Sequence, residues 1–371
     1  METKKVLHIA PENTAGVPYN VKKMQSDFGM PARLITFYKI PFDFPEDICL
    51  NLPLPRSKVA MKWREFKQSN LQNKIKTEQI DKWTHLPYFA PKNAAEKGYM
   101  KLRENRNKPK FLKALDEVDA ENFDIIHFDG GIDFFQDSHL AKAFKMKGKK
   151  LVNCYFGDDL RTRGIVREMD EISDLNLTFE YDHTLRHPNI NFLFFPFDSS
   201  AIEYISDEDY WASPADGKLR IIHSPTQRII KGTPEIIAAI EEVKKHRDIE
   251  FILVEDTPRD ELLKIKRTCH IAIDQIGNRG GTGYGINSLE TLSMGLPTIT
   301  DMNCGMDTWL PENPFIVADK DSLAEKIIDL IDMKEYRKDK RDASRGWVEK
   351  YHSYASVFEK LKEYYIKSGI L

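Results

Sequence analysis

The chain has 371 residues, 41% of them hydrophobic, which is enough apolar material for two ordinary cores and more length than one domain comfortably holds. Its 55 Lys and Arg against 58 Asp and Glu leave a formal charge of -3, so no global field draws it to nucleic acid or to an anionic membrane, and any such pull must be local. Cys49, Cys154, Cys269 and Cys304 are scattered without a Cys-x-x-Cys pair, and no long apolar run opens the chain, which argues against a disulfide framework, a zinc site, a signal peptide or a membrane span; the expectation is a cytoplasmic protein.

Short apolar runs alternate with longer helix-period segments, the pattern of a parallel sheet covered by helices. In the first half the spacing predicts strands over 5–10, 32–36, 124–128, 151–155 and 191–195. Between the second and third of these lie two basic segments, 56–67 with Arg56, Lys58, Lys62, Arg64 and Lys67, and 97–113 with Lys97, Lys101, Arg103, Arg106, Lys108, Lys110 and Lys113. Such runs are usually solvated helix faces; the alternative is a patch for an anionic acceptor or a membrane surface, which would make the protein membrane-associated. Trp63, Phe66, Trp83 and Tyr99 are interleaved with them. The acidic stretch 207–217, ending in turn formers, reads as an interdomain connection. A second alternation follows, with strands expected over 219–223, 250–254, 270–274, 297–300 and 315–317. The expected division is a first domain over 1–200, a second over 218–345, and a terminal helix over 346–371 whose apolar positions repeat at helix period.

Two helix openings in the second half are suited to an anion. Around Lys231-Gly232-Thr233-Pro234 a strand ends and a helix begins; Thr233 is a good N-cap residue and Pro234 suits the first turn. The free N–H groups and dipole of such a turn favour negative charge, and Arg228 and Lys231 stand just upstream. A plain cap with two surface cations explains this segment equally well. Further on, the glycine-dense run 280–285 enters a helix that ends at Gly295 with Pro297 beyond it. Glycines bring bare N–H groups close to a ligand, and Glu290, a turn into the helix, can accept two hydrogen bonds from a vicinal diol such as a ribose. Both openings follow strands of one sheet, whose carboxyl ends are where ligands bind, so they can converge on one diphosphate.

With these residues in view, the chain resembles the retaining glycosyltransferases of family 4. The resemblance is strongest over 223–300. It implies an α/β chain of the GT-B type, two Rossmann-like doubly wound domains facing across a cleft. It also implies that Lys231-Gly232 binds the donor diphosphate, and that the helix written Gly285-Ile-Asn-Ser-Leu-Glu290 holds the ribose through Glu290. The donor-binding set implied is Gly16, Thr226, Arg228, Lys231, Gly283, Tyr284, Gly285, Ile286, Asn287 and Glu290. Thr226 occupies the family's Arg position, with Arg228 as its substitute, and Thr282 stands where relatives have a second Glu. In the first half, Gly16 matches the family's glycine loop. His127 matches the first histidine of a segment in which Asp129 replaces the second, and Phe156 precedes Asp158, Asp159 and Arg161, expected on the acceptor side. The resemblance further implies that the terminal helix crosses back to the first domain.

The reaction expected is transfer of a sugar from a nucleotide sugar, UDP-linked by preference, to a glycan, lipid-linked or other hydroxyl acceptor, with retention. Arg228, Lys231 and the helix openings would stabilise the departing diphosphate without a metal or other cofactor, and Asp129 would orient sugar hydroxyls. The sequence shows no clear general base. Asp158-Asp159 and 207–209 superficially resemble acidic metal motifs, but Arg161 beside the first pair reads as a salt-bridge partner. The alternatives are a non-catalytic nucleotide-sugar-binding subunit and a sugar-nucleotide epimerase. No nucleic-acid partner is expected.

Overall fold

All ten expected strands form, within one to three residues of their predicted ends, and two more join them, Ile48–Cys49 and Leu175–Thr178. The computed structural model describes residues 3–40, 44–53, 94–157, 159–212, 217–277 and 283–371. The basic segment 56–67, Asp158, and the loop positions Gly280, Gly281 and Thr282 lie outside the described residues.

The described chain divides into two units, one comprising residues up to Pro196 together with Tyr354–Leu371, the other Phe197–Ser353. In chain order the first contains β1 (Val6–Ala10), α1 (Val17–Asp27), β2 (Ala32–Thr36), β3 (Ile48–Cys49), α2 (Ala94–Glu117), β4 (Ile125–Asp129), α3 (His139–Met146), β5 (Lys150–Tyr155), α4 (Arg167–Ile172), β6 (Leu175–Thr178), α5 (Tyr181–Thr184) and β7 (Asn191–Phe192). Its sheet is parallel throughout, in the order β3-β2-β1-β4-β5-β6-β7. The central strands β1 and β4 are buried at every position, which is why they read as continuous apolar runs and not as alternations.

The second unit contains α6 (Asp207–Trp211), β8 (Leu219–His223), α7 (Arg228–Lys231), α8 (Thr233–Lys244), β9 (Ile249–Leu253), α9 (Arg259–Lys266), β10 (Ile271–Ile273), α10 (Ile286–Ser293), β11 (Thr298–Thr300), α11 (Met306–Trp309), β12 (Ile316–Val317), α12 (Leu323–Asp332) and α13 (Lys334–His352). Its parallel sheet runs β12-β11-β10-β8-β9. Ile236, Ile240 and Val243 of α8 and Leu323, Ile327 and Leu330 of α12 share one core with Ile221, Ile271 and Ile299. Both triplets keep the spacing that puts residues on one helix face.

The acidic stretch expected to be a connection begins instead as α6, capped by Ser206, with Tyr210 buried. Arg341 of α13 explains it: this fully buried guanidinium lies 4.3 Å from the Tyr210 ring, bonds Asp207, and donates to the Gly295 carbonyl at 2.9 Å. Opposite charge and a π face draw the stretch into the fold.

The final helix, α14 (Tyr354–Lys367), packs in the first unit, where Val357, Phe358, Leu361 and Tyr365 share a core with Val21, Met24, Val152 and Leu177. Among the described residues no helix is long and apolar enough to cross a membrane.

Candidate functional site

In the second sheet the chain leaves β8 toward β9 on one side and returns through β10 on the other, so β8 and β10 flank a switch point whose carboxyl ends open a crevice. One polar group ties the two sides together. Asp274, just past β10 and fully buried, accepts from Lys231 Nζ at 2.8 Å, from the Ser288 hydroxyl at 2.7 Å, and from Asn287 Nδ2 and the Gly285 N–H at 3.3 Å each. Burial opposes ionisation of its carboxyl, but Lys231 and the hydrogen bonds from Ser288 and Asn287 outweigh it and hold the group at about 2. Lys231 gives a second hydrogen bond to Gln275 Oε1 at 3.2 Å, so that among the described residues one ammonium proton is left over. The Ser224 hydroxyl, at the end of β8, donates to Asn287 Oδ1 at 2.8 Å and closes the link from β8 to the opening of α10.

The Lys231-Gly232 pair has a steric cause. Gly232 has a φ of 69°, and a Cβ there would lie 1.9 Å from the Ile276 carbonyl oxygen, so only glycine lets the chain pass. This same residue is the N-cap of α8, which corrects the assignment of that role to Thr233. The Thr233 side chain is buried and committed elsewhere: His223 Nδ1 donates to the Ile273 carbonyl, so His223 Nε2 accepts from the Thr233 hydroxyl at 2.9 Å. Burial keeps His223 below its ordinary pKa and so favours this neutral ring.

The other donor-side residues divide by environment. Arg228 is half exposed and forks onto Glu255, while Thr226 is exposed. Gly283, with a φ of 98°, offers its carbonyl to Gln275 Nε2 at 2.8 Å and to the Thr300 hydroxyl at 2.7 Å. Gly285 caps α10, whose first residues Ile286 and Asn287 are half buried. Tyr284 turns away into an aromatic cluster, stacked on Phe315 at 4.9 Å with its hydroxyl 3.0 Å from His352 Nε2. Glu290 is buried between two cations, with Oε1 2.7 Å from Arg259 Nε and Oε2 2.6 Å from Lys266 Nζ.

The first sheet has the same switch point between β1 and β4. Gly16 has a φ of 74° and caps α1 there; a Cβ would come within 2.9 Å of the Phe44 ring. His127 and Asp129 stand at the two ends of one hydrogen-bonded chain: Asp129 Oδ2 lies 2.9 Å from His8 Nδ1, His8 Nε2 2.7 Å from Gln25 Oε1, and Gln25 donates to the Tyr365 hydroxyl, which also bonds His127 Nε2; His127 Nδ1 has no hydrogen-bond partner among the described residues. His127, Asp129, His8, Gln25 and Tyr365 are all buried, and burial followed by the neighbouring His8 ring holds His127 well below its ordinary pKa. Asp129 thus spends Oδ2 on His8 inside the unit. His8, His127 and Asp129 are also the one group among the described residues with metal-ligand spacing, their ligand atoms lying within 4.8 Å.

The guanidinium of Arg161 is buried against Asp182 and Glu180, at 2.6 Å from each; Asp158, one of the two aspartates expected to pair with it, lies outside the described residues. Asp159 instead accepts from the backbone N–H groups of Phe156, Gly157 and Leu160, and so shapes the loop that aims Arg161 away from it. The basic segment 97–113 lies on α2, which buries Asn107, Phe111, Ala114 and Leu115 and exposes Lys97, Lys101, Arg106, Lys108, Lys110 and Lys113.

Asp274, Gln275, Ser224, Arg259 and Lys266 escaped the sequence reading. Only Asp274 carried a signal, as a carboxylate closing an apolar strand of a parallel sheet.

No protein-family model matches the chain, and no curated protein does. Solved structures do. Sucrose-phosphate synthase from Thermosynechococcus elongatus aligns over 98% of both chains at a TM-score of 0.60 and 10% identity. HepE of Anabaena, in complex with UDP-glucose, aligns over 98% of this chain and 99% of its own at 0.57 and 12%. The chain has the GT-B fold. A UDP-N-acetylglucosamine 2-epimerase also aligns, over 100% of this chain and 98% of its own, at a TM-score of 0.50 and 11% identity. The GT-B architecture is therefore shared with proteins of more than one activity, and its chemistry must be read from the residues at the switch point.

Proposed function

We propose that the protein is a glycosyltransferase that takes a sugar from a nucleoside diphosphate, UDP by preference, and passes it to a hydroxyl acceptor with retention and without a metal. The observation that carries this is the Lys231–Asp274 pair, 2.8 Å long, which pins a cation and the opening of α10 to one crevice between β8 and β10. A diphosphate seated there meets Lys231, the amino ends of α8 and α10, and the outer face of Arg228. Bond breaking at the anomeric carbon puts negative charge on the departing phosphate, and these donors are fixed before that charge develops. Because Asp274 is held ionised by groups already in place, little reorganisation accompanies the step.

The donor sugar and acceptor are glycosyl and hydroxyl compounds, with the exposed cationic face of α2 as the surface for an anionic, lipid-linked acceptor. Support for the UDP preference is the likeness to a protein crystallised with UDP-glucose. A thermal-shift screen of nucleotides and nucleotide sugars followed by transfer assays tests the proposal, with stabilisation by a nucleoside diphosphate expected. The reading fails if no such ligand raises the melting temperature, or if Lys231→Ala with Glu290→Ala leaves turnover unchanged. The epimerase likeness supplies a second reading, separated by incubating the protein with donor alone: an epimerase converts it without an acceptor. Binding without transfer or slow hydrolysis would point to a non-catalytic subunit.

A further inference from the structure

Two adjacent parallel strands bring three metal-ligand side chains to one face of the first sheet. His8 of β1 stands beside His127 of β4 in the ladder, and Asp129 lies two residues further along β4, on the same face. Helices α1 and α14 cover that face, and His8, His127 and Asp129 are 0%, 0% and 2% exposed. Their ligand atoms converge. Asp129 turns one carboxylate oxygen to each ring, with Oδ2 2.9 Å from His8 Nδ1 and Oδ1 4.0 Å from His127 Nδ1. The ligand atoms of the group all lie within 4.8 Å of one another. An ion about 2.1 Å from each ligand allows at most about 4.2 Å between two of them, so side-chain shifts of a fraction of an ångström close the set around one cation.

Two features separate this cluster from an ordinary buried ion pair. Among the described residues no Lys or Arg pairs with Asp129, and only the two imidazoles face it. A buried carboxylate needs positive charge against it, and here a proton or a metal ion must supply it. A proton between His8 and Asp129 leaves His127 Nδ1, fully buried, without a hydrogen-bond partner among the described residues. A metal ion satisfies all three side chains. The second feature is the outer nitrogen of each ring, which already rests on an oxygen: His8 Nε2 lies 2.7 Å from Gln25 Oε1, and His127 Nε2 bonds the Tyr365 hydroxyl. Metal-bound imidazoles are held in this way, because the outer contact fixes the ring and its tautomer.

We propose that His8 Nδ1, His127 Nδ1 and the Asp129 carboxylate form a structural site for one divalent transition-metal ion, zinc by preference, in the interior of the first unit. Two imidazoles and a carboxylate suit zinc better than magnesium or calcium, which favour oxygen ligands alone. Both oxygens of Asp129 complete a set of four ligand atoms. The ion takes the place of the proton between His8 and Asp129, and that proton leaves to solvent. Gln25 belongs to α1 and Tyr365 to α14, and Gln25 Nε2 donates to the Tyr365 hydroxyl at 2.9 Å, so the ion fastens both helices to β1 and β4. The site stands apart from the nucleotide-sugar reading: its ligands belong to the first sheet, and no step of the transfer runs through it.

The test uses the full chain, purified without a polyhistidine tag, with its metal content read by plasma mass spectrometry. The wild type is expected to carry close to one zinc per chain. After the metal is removed with a chelator, added zinc is expected to raise the melting temperature, and added cobalt(II) to develop the intense visible absorption of a four-coordinate site. Asp129→Asn and His127→Leu are each expected to lower bound zinc by about tenfold or more and to abolish the cobalt spectrum. Tyr365→Phe keeps every ligand and removes only the oxygen behind His127, so it is expected to weaken zinc binding about 10–100-fold. Should a variant fail to fold, the wild-type readings decide alone. A metal-free wild type that neither gains stability with zinc nor develops the cobalt absorption overturns the site. Zinc retained undiminished in the folded variants overturns it too, since the ion would then sit on other residues.

Discussion

The two sheets present the same topology at their switch points and use it differently. Between β1 and β4 the polar side chains mostly pair with one another: Asp129, His8, Gln25, Tyr365 and His127 form a buried chain that ends at His127 Nδ1, which has no hydrogen-bond partner among the described residues, and Arg161 bonds Asp182 and Glu180. Between β8 and β10 the pairing is left open at Lys231, whose ammonium keeps a proton unassigned among the described residues, and at Arg228, which stands half in solvent. A parallel sheet supplies a crevice in both cases; whether it becomes a binding site depends on whether the chain satisfies its own polar groups there. In the first unit most of these groups pair with one another, and the proposal is that in the second they meet a ligand.

Charge removal should expose that difference. Arg161→Met takes the cation from buried Glu180 and leaves Asp182 with Arg186 alone, so the unfolding free energy is expected to drop by about 3 kcal/mol in a urea titration, while nucleotide affinity stays within twofold. A large affinity loss instead would show that the first unit also contributes to the site. Lys231→Ala also leaves buried Asp274 without its cation, so a lower melting temperature is expected there too, but with it a fall in kcat/KM by roughly 10²–10³ that Arg161→Met does not show. An equal loss of kcat/KM in both variants would erase the contrast.

An acid titration sharpens the point from the first unit. Burial brings His183 down to about 4, so the folded protein rejects a proton that the unfolded chain accepts. The associated stability is complete above pH 6.5 and is lost as pH falls toward 4, amounting to on the order of 3 kcal/mol. Glu180, pushed up to about 7 by burial, acts in the opposite direction, so the useful quantity is the difference between wild type and His183→Gln. The variant should show the shallower decline of melting temperature between pH 7 and 5. At the small end, Arg228→Ala should leave the melting temperature nearly unchanged, since its pairing with Glu255 is exposed, and should weaken nucleotide binding several-fold. EDTA is expected to leave turnover within about twofold; loss restored by magnesium or manganese would overturn metal independence and direct attention to His8, His127 and Asp129.

Much of this was written locally. Strand after strand could be read from apolar runs because both sheets are parallel and covered on two faces, and Lys231-Gly232 and Gly285 announced helix openings through residues whose backbone preferences need no partner. Arg161 shows the limit: its partners Asp182 and Glu180 stand in a distant segment, and only folding brings them to it. Thr233 shows it again, being a good cap by type and a partner of His223 in fact.

The amino-acid sequence by itself determined the α/β alternation, the placement of nearly every strand, and the two turns where a helix opens beside a cation, because these follow from side-chain period, glycine freedom and proline geometry over a few residues. Tertiary structure alone decided that Asp274 joins those turns, that Lys266 lies buried against Glu290, and that Asp129 closes onto His8. Each of these is a charge or hydrogen bond between strands and helices distant in sequence, and its strength depends on the burial that only the assembled fold creates.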